Sequence, residues 1–207
     1  MDKKAKCVLK QGKSLPDTMA MSEVVSLSNH FLIAMPGLGD PNFFRTVTFI
    51  CEHSSEGAMG IVINRPVDLS LQDVFEQMSI EAEQDKFGHI AVHLGGPVQS
   101  NRGFVIHEPL GDWESTLPVT DAVGISTSRD ILDAIAKGCG PTRYLIALGY
   151  AGWAAGQLEQ EIKQNTWLSG PADREILFHT PAETRWRAAA HLLGVDFSML
   201  SEEAGHA

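Results

Sequence analysis

The sequence predicts an α+β fold in which hairpins and helices are interleaved, with no regular βαβ alternation. Three observations lead there. Short β-branched or apolar runs recur at strand length along the chain. Capped amphipathic stretches interrupt them. A chain of 207 residues, 43% of them hydrophobic, can bury one sizeable core.

In chain order, residues 1–26 read as an extension ahead of a single domain over 27–207. Strands are expected at 30–35, 45–52, 59–64, 90–94, 103–107, 122–127, 143–148 and 175–178. The second and third are joined by HSSEGA, a short glycine-containing loop that signals a hairpin. A helix is expected over 70–86, with Ser70 capping, Asp73 at N3, and Leu71, Val74, Phe75 and Met78 on one face. The next runs from Ser128 and stops at Gly138. A third is expected to start near Gly152, directly after the strand at 143–148. The last has Thr180 as cap, Pro181 at N1, Glu183 completing a capping box and Gly194 closing it.

Charge narrows the function classes. The net charge is −10, yet residues 1–13 carry five lysines against one acid, so the remaining 11 bases face 25 acids for a net of −14. Such a body repels phosphate backbones, and no helix-turn-helix with a basic recognition helix is visible, so direct DNA binding is not expected. The lysine tail reads as solvated. It has no apolar stretch after it to make a signal sequence, and no run long enough to span a membrane occurs. Three widely spaced cysteines (Cys7, Cys51, Cys139) without CxxC suit free thiols and a cytoplasmic location.

Three clusters could carry chemistry. In CEHSSEGAMGIVINRP, Cys51 and His53 lie two apart on a strand and are expected to face one side, with Glu52 opposite. Cys51 is weighed as a thiol nucleophile against an inert buried cysteine. Asn64 and Arg65 end the next strand. Arg65 either binds an anion or pairs with a carboxylate such as Glu52. In GGPVQSNRGFVIH, Gly95 and Gly96 form a tight turn, with Arg102 before the following strand and His107 at its end. Free backbone N–H groups with one arginine could nest an anion, or the arginine could simply fasten the turn. In LGYAGWAAGQLEQEI, Gly152 and Trp153 stand where a strand–glycine–helix transition could cradle a ligand or let a helix pack closely. No cation lies nearby, and Glu159 and Glu161 follow.

Metal and cofactor signatures are missing from the sequence. His89 and His93 have zinc-like spacing only on a helix, and their segment reads as a strand, which puts the rings about 13 Å apart. There is no HExxH, no cysteine–histidine zinc spacing, no GxGxxG, no GxxxxGK[ST] and no GxSxG. No catalytic residues, cofactor or metal are therefore assigned.

The segments FLIAMPGLGDPNFFRTVTFICEHSSEGAMGIVINRP (31–66), LGGPVQSNRGFVIH (94–107) and LGYAGWAAGQLEQEIKQNTWL (148–168) resemble the AlgH/YqgE family of bacterial proteins. The resemblance implies a complex mixed β-sheet, partly closed into a small barrel and flanked by helices. It also implies a link to regulation, through a proposed connection to alginate synthesis, and it brings no catalytic residues with it. The expected function is a non-enzymatic regulatory protein that binds a partner protein or a small anionic ligand. The alternative is a hydrolase or transferase acting on a phosphorylated or nucleotide substrate. Convergence of Arg65, Arg102, His53 or His107 with Gly152 in one concave site would favour that alternative.

Overall fold

A computed structural model describes residues 26–82 and 86–197. The expected extension lies outside them except for Ser26, whose hydroxyl donates to the His53 carbonyl. The strands are β1 (His30–Ala34), β2 (Val47–Ser54), β3 (Gly57–Val62), β4 (Pro66–Ser70), β5 (Ala91–Leu94), β6 (Val98–Glu108), β7 (Thr116–Pro118), β8 (Gly124–Ser126), β9 (Arg143–Ala154) and β10 (Trp167–Pro171). The helices are α1 (Leu71–Gln77), α2 (Arg129–Ala136), α3 (Gln157–Lys163), α4 (Arg174–Phe178) and α5 (Ala182–Leu192).

The strands join in one sheet along the path β10-β1-β2-β3-β9-β6-β8-β7, with β5 added parallel to β9 and β4 antiparallel to β5. The sheet curls into a half-barrel. Its inner face shows why: Phe31, Phe49, Ile61, Phe104, Ile125 and Leu145, from β1, β2, β3, β6, β8 and β9, all meet in one core. Helices α4 and α5 close that core with Leu177 and Trp186. Two smaller cores cover the outside. One lies under α1 and α2. The other lies under α3 and packs Trp153, Trp167 and Phe43.

β9 organises this arrangement, and it corrects the reading of LGYAGWAAG. The strand does not stop at Leu148; it runs to Ala154. Before Gly149, Leu145 and Ala147 face the inner core, and Ile146 faces the α1–α2 side. Gly149 has φ +74, a left-handed conformation, and the alternation resets there. After it, Tyr150 faces inward, and Ala151 and Trp153 face outward. The glycines do permit a close approach, but of a strand and a loop. A Cβ on Gly95 would collide with the Gly149 carbonyl oxygen, and one on Gly96 with the Tyr150 backbone. Gly95 sits as a wedge between strands, accepting from Val62 N at 2.8 Å and donating to Leu148 O at 2.7 Å. Gly156 (φ +73), not Gly152, precedes the third helix.

Other boundaries moved for local reasons. The Ser70–Asp73 capping box forms as expected, but α1 ends at Gln77 because Ser79 turns left-handed (φ +54). Residues 175–178 are helical. Asp173 caps them by accepting from Ile176 N, and four apolar-leaning residues cannot announce helix or strand by periodicity. Pro181, not Thr180, occupies the N-cap of α5, and the Thr180 hydroxyl donates back to the Glu175 carbonyl. The short strands β4, β7 and β10 were not expected.

Candidate functional site

Most of the sequence candidates are tied into the scaffold. A β-bulge between Ile50 and Glu52 gives β2 one extra residue. Cys51 therefore joins the inner core, while His53 meets Glu159 of α3 at 3.0 Å, and the expectation that they share a face fails. Burial pushes the Cys51 thiol well above its usual range, so it stays protonated and unreactive. His53 also accepts from Leu27 N at Nδ1. Asn64 clasps two strands, accepting from Val47 N and donating to the Arg45 carbonyl. Among the described residues no carboxylate pairs with Arg65; it donates to the Phe44 carbonyl at 3.2 Å. Gly95 and Gly96 form the crossover, so their backbone is not a free nest.

Three candidates do come near one another. Two adjoining clefts, about 380 and 410 Å³, share Met59 and Tyr150. Gly152 and Trp153 line the first with Glu52 and Glu56. Arg102 lines the second, lies over the Phe104 ring at 5.6 Å, and donates to Gln99 and Thr127. His53, Arg65 and His107 are elsewhere, so the convergence that would mark a phosphoryl site is not formed. The Gly152 end is acidic. Glu161, read from the sequence as a deterrent to anions, accepts from the indoles of both Trp153 and Trp167.

A groove that the sequence did not reveal lies between α1 and α2. It holds about 440 Å³ over the outer side of β6 and β9. Leu69, Val74, Met78, Val105, Leu132, Ile146 and Leu148 make it mostly apolar, and Gln77, Asn101, Ser128 and Arg129 supply polar groups. Arg129 reaches across from α2, donating to the Ser79 carbonyl at 3.4 Å beside its own Asp133 at 3.6 Å.

His107 stands behind this groove. It is fully buried, with Nδ1 3.0 Å from the Pro109 carbonyl and Nε2 2.9 Å from the hydroxyl of Ser126, a groove-lining residue. The carbonyl can only accept, so Nδ1 carries the proton and Nε2 accepts from Ser126. Thr116 Oγ1 adds a second hydroxyl 2.6 Å from Ser126. Burial lowers the His107 pKa, with the Pro109 contact opposing, so the ring is neutral at pH 7. Ser126 is nineteen positions from His107. Only the β6–β8 register, which sets Val105 opposite Ser126, brings the two together. Among the described residues, no three His, Cys, Asp or Glu side chains are grouped to hold a metal ion, and no helix is long and apolar enough to cross a membrane.

Residues 31–198 match the family described as AlgH-like (DUF179). The chain is 58% identical over 187 residues to a UPF0301 protein of Thioalkalivibrio sulfidiphilus, covering 90% of this chain and 100% of that one. It is 57% identical to a UPF0301 protein of Nitrosococcus oceani over the same shares. The solution structure of the AlgH protein from Pseudomonas aeruginosa superimposes with a TM-score of 0.73 at 49% identity, covering 95% of this chain and 100% of that chain. A Corynebacterium diphtheriae crystal structure shares the fold at 20% identity, with a TM-score of 0.66 over 84% of this chain and 90% of its own.

Proposed function

This chain belongs to the AlgH-like family, and from that premise we propose that it is a non-enzymatic ligand-binding protein with a regulatory role, whose ligand occupies the α1–α2 groove. The observation that carries this reading is the groove itself. At about 440 Å³ it falls in the range of small-molecule sites, and it has the usual make-up of apolar walls with a few polar groups at one side. Val105, Ile146, Leu148 and Leu132 would take an apolar body. Asn101, Ser128 and Arg129 would take its polar or anionic end. Thermal shift with octanoate, octanamide and anilinonaphthalene sulfonate tests it. A saturable rise in Tm, abolished when Leu132→Trp fills the groove, is the expected result. No saturable response to any of the three, or an equal response in the filled variant, sinks the reading.

A second reading rests on Ser126 and His107, which have the spacing of a nucleophile and its general base. It would make the protein a hydrolase acting on a groove-bound ester. It is placed second because Ser126 has no exposed surface and also contacts Thr116. Covalent labelling by a fluorophosphonate, lost in Ser126→Ala, would reverse that order.

A further inference from the structure

Three arginines gather around two neighbouring turns. Arg65 donates to the Phe44 carbonyl. Arg45, with a left-handed backbone (φ +54), lies over the rings of Phe44 at 5.0 Å and Trp186 at 5.5 Å. Arg185, next to Trp186 on α5, is buried at 5% exposure and donates to the carbonyls of Ile63 and Thr180. Among the described residues no carboxylate lies within ion-pair distance of any of the three. Arg129, Arg143 and Arg174, by contrast, are ion-paired. The acids nearest in sequence to Arg45, Arg65 and Arg185 are Asp40, Asp68 and Glu183; all are exposed, and Glu183 raises the Arg185 pKa against the larger lowering by burial.

The apolar surface at this place is also unusual. Phe44 is 45% exposed, and no other phenylalanine, tyrosine or tryptophan among the described residues is classed as exposed. Two residues after Arg65, Val67 is 36% exposed on β4, a strand that among the described residues pairs only with β5. Exposed aromatic and arginine side chains together are the composition of a protein interface core. A strand with a free edge can accept an extended segment alongside it.

We propose that Phe44, Arg45, Arg65 and Val67, backed by the buried charge of Arg185, form a docking surface for an acidic segment of a protein partner. The charge complementarity is local. In a body that is otherwise acidic, this patch presents cations that no carboxylate of the described residues pairs with. Carboxylates of the segment would meet Arg45 and Arg65, and an apolar side chain between them would pack on Phe44. The proposal is independent of the α1–α2 groove.

Panning a random phage-displayed peptide library on the full chain tests it, with an Arg45→Glu/Arg65→Glu double variant as counter-target. The expected outcome is enrichment of peptides with two or more acids around an apolar residue. Labelled synthetic copies should then lose roughly tenfold or more in affinity for the double variant and for Phe44→Ala. Circular dichroism of both variants must match the parent, and Arg102→Ala, a cation at a different site, should bind normally. Failure to enrich any peptide, enrichment of non-acidic sequences, or equal binding by the double variant overturns the proposal. So does Arg45- and Arg65-dependent binding of a single-stranded oligonucleotide with no peptide binding, which would make the patch a nucleic-acid site.

Discussion

The two sides of β6 and β9 are built from the same alternation and end differently. On the inner side Phe104, Ile106, Leu145 and Ala147 meet large rings. Trp186 stacks on Phe197 at 4.4 Å, and its indole N–H bonds the Ala34 carbonyl at 2.8 Å. On the outer side Val105 and Ile146 share a core with Leu71 and Phe75 of α1 and with Ile131, Leu132 and Ile135 of α2. Those helices have seven and eight residues, so each is only about 10–12 Å long. The strands beneath, at eleven and twelve residues, run roughly 35–40 Å. Two short helices cover only part of those strands and leave an opening; the one ring that α1 buries there, Phe75, pairs with Phe87 at 5.1 Å and does not line it. Helix length thus decides which side becomes a closed core and which keeps a candidate site.

The sharpest way to break this comparison is to remove one large side chain from each face. Trp186→Ala should cost about 4 kcal/mol, since it deletes a buried ring and orphans the Ala34 carbonyl. Leu132→Ala, on the groove wall, should cost only about 1–2 kcal/mol, because the space it vacates opens into an existing groove. Urea denaturation measures both. Equal losses would mean that the groove side is packed as tightly as the core.

Gly149 lets one strand serve both faces, so replacing it should damage both. Alanine there must hold a left-handed φ and push against the Gly96 carbonyl and the Val98 backbone. A loss of about 3 kcal/mol is expected, against well under 1 kcal/mol for Gly103→Ala, whose Cβ would enter open space. A mild effect at Gly149 would show that the crossover can relax.

Acid should weaken the inner side more. His93, buried near Arg185, has its pKa lowered to about 4, first by burial and then by that guanidinium. The folded value lies below the unfolded one, near 6.5, so the native state binds fewer protons than the unfolded state between them. The stabilisation is complete above about pH 6.5 and fades as pH falls towards 4. From pH 7 to pH 5 the expected loss from His93 is about 2 kcal/mol. His107, on the groove side, shifts in the same direction. A shallower dependence of Tm on pH in His93→Gln than in the parent is the result to look for; parallel curves would exclude His93 as the source.

Much of this fold could be read before any coordinates, and the reasons for the remainder are specific. The run at 30–35 is apolar, the run at 45–52 is rich in β-branched residues, and the cap at Ser70 has a side-chain signature, so β1, β2 and the start of α1 follow from local chemistry. β7 has three residues, and no periodicity can appear in so few. The expected end of the strand at 148 falls just before Gly149, and a glycine looks the same in a turn and in a bulge; only its neighbours Gly96 and Val98, distant in sequence, distinguish them. The candidate site was harder for the same reason. The groove draws its walls from six elements, and no stretch of sequence announces a space between side chains. Arg102, Gly152 and Trp153 were found because they belong to unusual local motifs. Asn64 and His53 belong to the same kind of motif, and they proved to be clasps.

The smallest expected effect on stability also tests the comparison most directly. Arg129 bridges the groove with one hydrogen bond at 3.4 Å, pairs with Asp133 of its own helix at 3.6 Å, and has a half-exposed side chain. Contacts of that length and exposure contribute little, so Arg129→Gln should change stability by less than about 0.5 kcal/mol. If the groove were merely an imperfect core, nothing else would change. If it is a site whose polar end faces Arg129, the substitution should weaken octanoate severalfold and leave octanamide unchanged, because only the carboxylate gains from a guanidinium. Equal weakening of both would mean that Arg129 shapes the groove without reading charge. An unchanged affinity for both would place the polar end at Asn101 or Ser128 instead.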